Sequence, residues 1–185
     1  MTTVADWQTA HADLDRVDRD VLLGAATGLS RAQLLARPER PVPCAALRRL
    51  ADWADCRRRG EPVAYLLGRR EFWGLELTVT PDVLIPRPDT ERLVEVALGL
   101  IDTVTHAATV PVLELGTGSG AVAIALAGER PALAITATDL SERALAVARD
   151  NASRHRADVM FVQSDWFDAV DGRFALIVSN PPYVR

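Results

Sequence analysis

The sequence predicts an α/β protein in which a parallel sheet follows a small all-helical domain. Three observations carry that reading. From Val110 onward, short apolar runs alternate with helix-forming segments, the order that a sheet wound from its first βαβ unit requires. Each of those runs stops at a cluster of glycine, acid or asparagine. Upstream of Gly60, apolar residues instead recur at helical spacing, with proline and glycine between the segments. A chain of 185 residues with 49% hydrophobic content can build one good core, or a small domain and part of a second.

The helical part is read from its periodicity and its stop signals. Trp7, Ala10, Leu14 and Val17 share one face of a first helix. Asp20 to Thr27 form a second, closed by Gly28, which suits a left-handed C-cap. Ser30 is the N-cap of a third, over residues 31–37. Pro38, Pro41 and Pro43 mark a connector. A fourth helix over 44–59 places Leu47, Leu50, Ala51 and Ala54 on one side and ends at Gly60. Pro62 opens one or two further turns, up to Gly68.

Residues 71–79 alternate as a β-ribbon interrupted at Gly74, and Pro81-Asp82 makes a turn. Residues 83–90 are extended because they hold two prolines, and Asp89 or Thr90 caps a helix over 91–98. The domains then divide as 1–80, helices with a β-ribbon linker, and 81–185, the sheet. Its strands fall at 110–115, 133–138, 159–163 and 174–179. Its helices run over 121–127 and from the Ser141 cap to about Ala152.

Composition narrows the function. The net charge is −4, with +1 on residues 1–80 and −5 on the rest, whereas a protein gripping nucleic acid by its phosphates carries a basic surplus. Stable binding of nucleic acid is therefore not expected, and Arg57-Arg58-Arg59 reads as a solvated face. No apolar run approaches the length of a membrane span, and the N-terminus has no basic-then-apolar leader, so a cytoplasmic protein without membrane partners is expected. Cys44 and Cys56 have no histidine nearby and read as ordinary thiols, with no metal site. His11, His106 and His155 are scattered and receive no role.

The chemistry lies at the strand ends. In an open α/β sheet, ligands sit beyond the carboxyl ends of the strands. All four ends here carry polar clusters: Gly116-Thr117-Gly118-Ser119-Gly120, Asp139, Asp165-Trp166, and Asn180-Pro181-Pro182-Tyr183. That coincidence points to one site. The glycines let backbone approach a ligand closely. Asp139, 23 residues after Gly116, suits the two hydroxyls of a ribose, in NAD or in S-adenosyl-L-methionine alike. The spacing Glu-x-Gly-x-Gly-x-Gly is not the dinucleotide Gly-x-Gly-x-x-Gly, which counts against a nicotinamide dehydrogenase. In the last cluster, two prolines stop both helix and sheet pairing at Asn180. The Asn180 side-chain oxygen and the Pro181 carbonyl can accept the two N–H groups of a planar –NH2, with Tyr183 stacked on its plane. Read blandly, this is a strand exit, and Asp165-Trp166 is an N-cap beside a core aromatic. The absence of the dinucleotide spacing and the presence of Asn180-Pro-Pro-Tyr183 together favour S-adenosyl-L-methionine, with Asp165 accepting from the adenine amino group and Trp166 packing near the adenine.

These segments, Glu114-Leu-Gly-Thr-Gly-Ser-Gly120, Asp139, Ser164-Asp-Trp-Phe167 and Asn180-Pro-Pro-Tyr183, resemble those of the protein-(glutamine-N5) methyltransferases that modify peptide-chain release factors, the PrmC/HemK family. Residues 61–74 and 84–91 are similar to that family's interdomain segment. The resemblance implies a Rossmann-like class I methyltransferase sheet, with the helical domain recognising the substrate. It implies as substrate the glutamine of the Gly-Gly-Gln loop in bacterial release factors. Asn180 and Pro181 would then hold the side-chain amide, with Pro182 and Tyr183 beside it. It also implies further strands after Tyr183, so the chain reads as a C-terminally truncated fragment of weak or no activity alone. Alternatives are an adenine-N6-type nucleic-acid methyltransferase, which would flip out its base, and a non-catalytic remnant that binds release factor through its helices.

Overall fold

In the computed structural model, which describes residues 1–104 and 110–181, the chain divides into two units, Met1–Leu67 and Gly68–Arg185. The first is helical. Helix α1 (Val4–Ala10) opens on a capping box between Thr3 and Asp6. It does not continue to Val17, as the spacing predicts. The Asp15 carboxylate takes the amides of Val17 and Asp18 and starts α2 (Arg16–Thr27) four residues before the expected Asp20. Trp7 and Leu14 are buried, but Val17 is 56% exposed and Ala10 is also on the surface. Gly28 ends α2 at φ +74°.

Ser30 caps α3 (Arg31–Ala36), with Gln33 completing a capping box. Helix α4 (Cys44–Arg58) buries Ala46, Leu50 and Ala54, while Ala51, expected on the same face, is exposed. A short α5 (Val63–Leu67) closes the unit. Leu22, Leu23, Leu34 and Leu50 centre its core. Two residues of the basic run pair with acids: Arg57 with Asp18, and Arg58 with Asp13 and Asp55.

Strands β1 (Arg69–Phe72) and β2 (Leu75–Thr78) form an antiparallel hairpin that turns on Trp73 and Gly74, both at positive φ. The sequence reading groups this ribbon with the helical domain, in a division at 80/81. Its packing puts it in the second unit, because Phe72 and Leu77 are buried in the sheet's core. The reason is side-chain burial, which an alternating pattern reveals without naming the partner. Helix α6 (Pro88–Val104) starts ahead of both expected caps, Asp89 and Thr90, and runs past Leu98. Pro88 in the first turn forfeits no helical hydrogen bond, since its N–H would have had no partner there.

The sheet comprises β3 (Val110–Leu115), β4 (Leu133–Asp139), β5 (Val159–Gln163) and β6 (Leu176–Ser179), with α7 (Ala121–Glu129) and α8 (Glu142–His155) between its first three strands. All pairs are parallel, in the order β5-β4-β3-β6. Helix α7 is buried along Ala121–Leu126, as a helix apolar on every side must be. After β5 the chain crosses back to the far side of β3, so the chain leaves β3 and β6 side by side, with Leu115 in register with Ser179. Such a switch point opens a crevice at the strands' carboxyl ends. Among the described residues, no helix is long and apolar enough to cross a membrane.

Candidate functional site

The loop after β3 is held from below by a buried acid. Glu114 is 4% exposed, and its Oε2 accepts from the Thr117 hydroxyl at 2.7 Å and the Ala123 amide at 3.1 Å. Burial pushes its carboxyl up to about 7, the two hydrogen bonds opposing and the nearby Asp139 charge adding to the rise. Thr117 and Ser119 are buried beneath the loop. They line, with Glu114 and Thr90, a small cavity of about 50 Å³. Gly116, Gly118 and Gly120 stand at φ +71°, +55° and +81°, values that disfavour any other residue. Gly120 has a second constraint, since a Cβ there would lie 3.0 Å from Ile124 Cδ1 and 3.2 Å from Ala148 Cβ. Its role is the packing of α7 on α8.

Asp139, at the end of β4, faces the same loop. Its Oδ2 accepts from the Gly118 amide at 2.9 Å and its Oδ1 from the Ser141 amide at 3.0 Å. At the end of β5, the Ser164 hydroxyl donates to the Trp166 carbonyl and accepts from the Ala169 amide, both at 3.0 Å. This pins a turn in which Trp166 takes φ +48° and is 55% exposed, so it is no core aromatic. After β6, Asn180 Nδ2 donates to Thr90 Oγ1 at 2.8 Å.

Gly116, Gly118, Asp139, Asp165, Trp166, Asn180 and Pro181 line one cleft of about 500 Å³, with Leu84 and Leu140 as apolar walls. Residues from all four strand ends thus meet. Of the predicted loop residues, Thr117, Ser119 and Gly120 do not line this cleft. Pro182 and Tyr183 lie outside the described residues, as does His106. Among the described residues, no cluster of His, Cys, Asp and Glu could hold a metal ion.

Sequence reasoning assigned no site role to three residues that organise the cleft. Glu114 carried a signal, an acid inside an otherwise apolar strand. Asn151 on α8 is fully buried; its Nδ2 donates to the carbonyls of Thr78 and Ser119, and its Oδ1 accepts from the Thr78 amide. It ties the hairpin to the glycine loop. Neither it nor Thr90 stands out locally, because their partners are distant in sequence.

Comparison with known proteins follows the same division. The PrmC N-terminal domain matches residues 7–68, and the methyltransferase small domain matches residues 95–185. The chain is 48% identical over 179 residues to a release factor glutamine methyltransferase of Burkholderia pseudomallei, covering 92% of this chain and 62% of that protein. It is 49% identical over 185 residues to one of Pseudomonas aeruginosa, covering 99% of this chain and 66% of that protein. One of Salmonella typhimurium is 47% identical over 180 residues, covering 96% and 63%. The chain spans just under two thirds of the length of these relatives. With two family models in succession and near-half identity along nearly its whole length, the chain belongs to the PrmC/HemK family.

Proposed function

We propose that this chain carries the cofactor- and amide-holding part of an S-adenosyl-L-methionine-dependent methyltransferase acting on the glutamine of the Gly-Gly-Gln loop of bacterial release factors. The observation that carries the reading is the meeting of all four strand ends around one cleft. Its volume falls within the range of small-molecule sites. The cleft offers what the cofactor needs: two glycines for close approach, Asp139 for the ribose hydroxyls, and Asp165 and Trp166 for the adenine. When bound there, S-adenosyl-L-methionine supplies a methyl carbon made electrophilic by its sulfonium.

Asn180 Oδ1 and the Pro181 carbonyl accept the two N–H groups of the glutamine amide. An amide nitrogen is a poor nucleophile, because its lone pair is delocalised. Catalysis therefore rests on positioning, with acceptors favouring the positive charge that grows on nitrogen. Orientation of this kind can contribute up to about 7–11 kcal/mol. The helical unit recognises the protein substrate. The pairing of Arg57 and Arg58 with acids supports a protein substrate over a nucleic acid.

The test is transfer of labelled methyl to a release factor, by this chain and by a protein spanning the full length of the relatives, with nucleic acid as the competing acceptor. Asn180→Ala abolishes turnover and leaves S-adenosyl-L-methionine binding within a fewfold. Turnover surviving within a fewfold removes Asn180 from the chemistry, and preferential labelling of nucleic acid refutes the substrate.

A further inference from the structure

Asn180 needs an orientation as well as a position. The torsion that turns a carboxamide about its own axis is broad and roughly two-fold, so packing alone sets it weakly. Yet the reading above requires the oxygen edge, not the –NH2 edge, to meet the incoming amide. A contact in the structure bears on this choice. Asn180 Nδ2 donates to Thr90 Oγ1 at 2.8 Å, between residues 90 apart in the chain. Thr90 is 8% exposed and sits in the first turn of α6. Its own amide donates to the Arg87 carbonyl at 3.0 Å. The helix starts at Pro88, so Thr90 is not its N-cap.

We propose that Thr90 is a positioning residue, whose hydroxyl holds the –NH2 edge of Asn180 and thereby turns the carboxamide oxygen to the opposite side. Asn180 lies on a loop, whereas Thr90 lies on a helix whose backbone is fixed by its own hydrogen bonds. The helix thus lends rigidity to the loop, as a precise site requires. The same threonine lines the small cavity under the glycine loop, together with Asn180, Gly116 and Gly118. One hydroxyl therefore ties the amide-holding residue to helix α6. This inference rests on the proposed role of Asn180.

The test compares Thr90→Val, which keeps the shape and removes the hydroxyl, with Thr90→Ser, which keeps the hydroxyl. The first readout is the side-chain ¹⁵NH2 signal of Asn180, identified by its loss in Asn180→Asp. In the wild type its two protons are more widely separated than in a free carboxamide and exchange slowly; Thr90→Val narrows the separation to that of a free carboxamide and speeds exchange, and Thr90→Ser restores both. The second readout is methyl transfer to release factor. Thr90→Val lowers kcat tenfold or more while KM for S-adenosyl-L-methionine stays within twofold, and Thr90→Ser returns kcat to within threefold. An unchanged Asn180 signal in Thr90→Val overturns the proposal, whatever the turnover. A narrowed separation with unchanged kcat overturns it also. Asn180→Ala, assayed alongside, separates the two ideas. If it is inactive while Thr90→Val is unaffected, only the role of Thr90 fails; if it remains active, the underlying reading of the site fails.

Discussion

Glu114→Gln should change how the stability of the sheet unit depends on pH. The unfolded carboxyl titrates near 4.5, and burial raises it to about 7 in the folded chain. Between those values the folded state holds a proton that the unfolded state has lost. Its stability from this group is therefore greatest below about 4.5, falls as pH rises, and reaches its full loss above about 7. The shift corresponds to about 3 kcal/mol in total. Roughly 2–3 kcal/mol of that falls between pH 5 and pH 8.

Glutamine suits the test because both donors, the Thr117 hydroxyl and the Ala123 amide, meet the same oxygen. An amide oxygen can accept both, so the substitution removes the charge and keeps the bonds. The surface acids whose carboxyls are held low, such as Asp13 beside Arg58 and Asp102 beside Arg130, act in the opposite direction. They are the same in both proteins and cancel in the difference. Hydrogen exchange of the Leu113 amide in β3 reports opening of the sheet unit without contribution from the helical one. From pH 5 to pH 8, the wild type should lose roughly 2–3 kcal/mol more opening free energy than Glu114→Gln. If the two proteins change in parallel, Glu114 is ionised throughout and the argument from burial is wrong.

Two further substitutions test the framework around the cleft. Gly120→Ala should destabilise the sheet unit by about 1–3 kcal/mol, from a strained positive φ and overpacking against Ile124 and Ala148, read as a lowered urea midpoint; an unchanged midpoint would show that α7 can shift freely. Asn151→Ala should cost about 2–4 kcal/mol, because it strips buried partners from Thr78 and Ser119. Its signature is faster exchange of the Thr78 amide than of the β3 amides, and equal protection of both would argue against the latch.

Much of the sheet unit was legible because its signals are local. The four strands are apolar runs, and each ends at a cluster of glycine, acid or asparagine. The rule that ligands gather at such ends assigns the four clusters to one site from the sequence. The helical unit was legible where one residue makes the cap, at Ser30 and Gly28. It was misread where two signals competed. The apolar spacing from Trp7 to Val17 is helical, but the Asp15 carboxylate captures two amides and begins a new helix. Ala51 fits the spacing of α4 as well as Ala46 does, and only the packed neighbours decide between them.

The sequence by itself determined the order of strands and helices, the positive-φ loop after β3 and the residue types at each strand end, since these follow from backbone sterics and local periodicity. Tertiary structure alone decided that the hairpin joins the sheet unit, that Asn151 ties Thr78 to Ser119, and that Asn180 meets Thr90. Those outcomes depend on contacts between residues far apart in the chain. Burial and hydrogen-bond partners at such distances leave no mark on the local pattern.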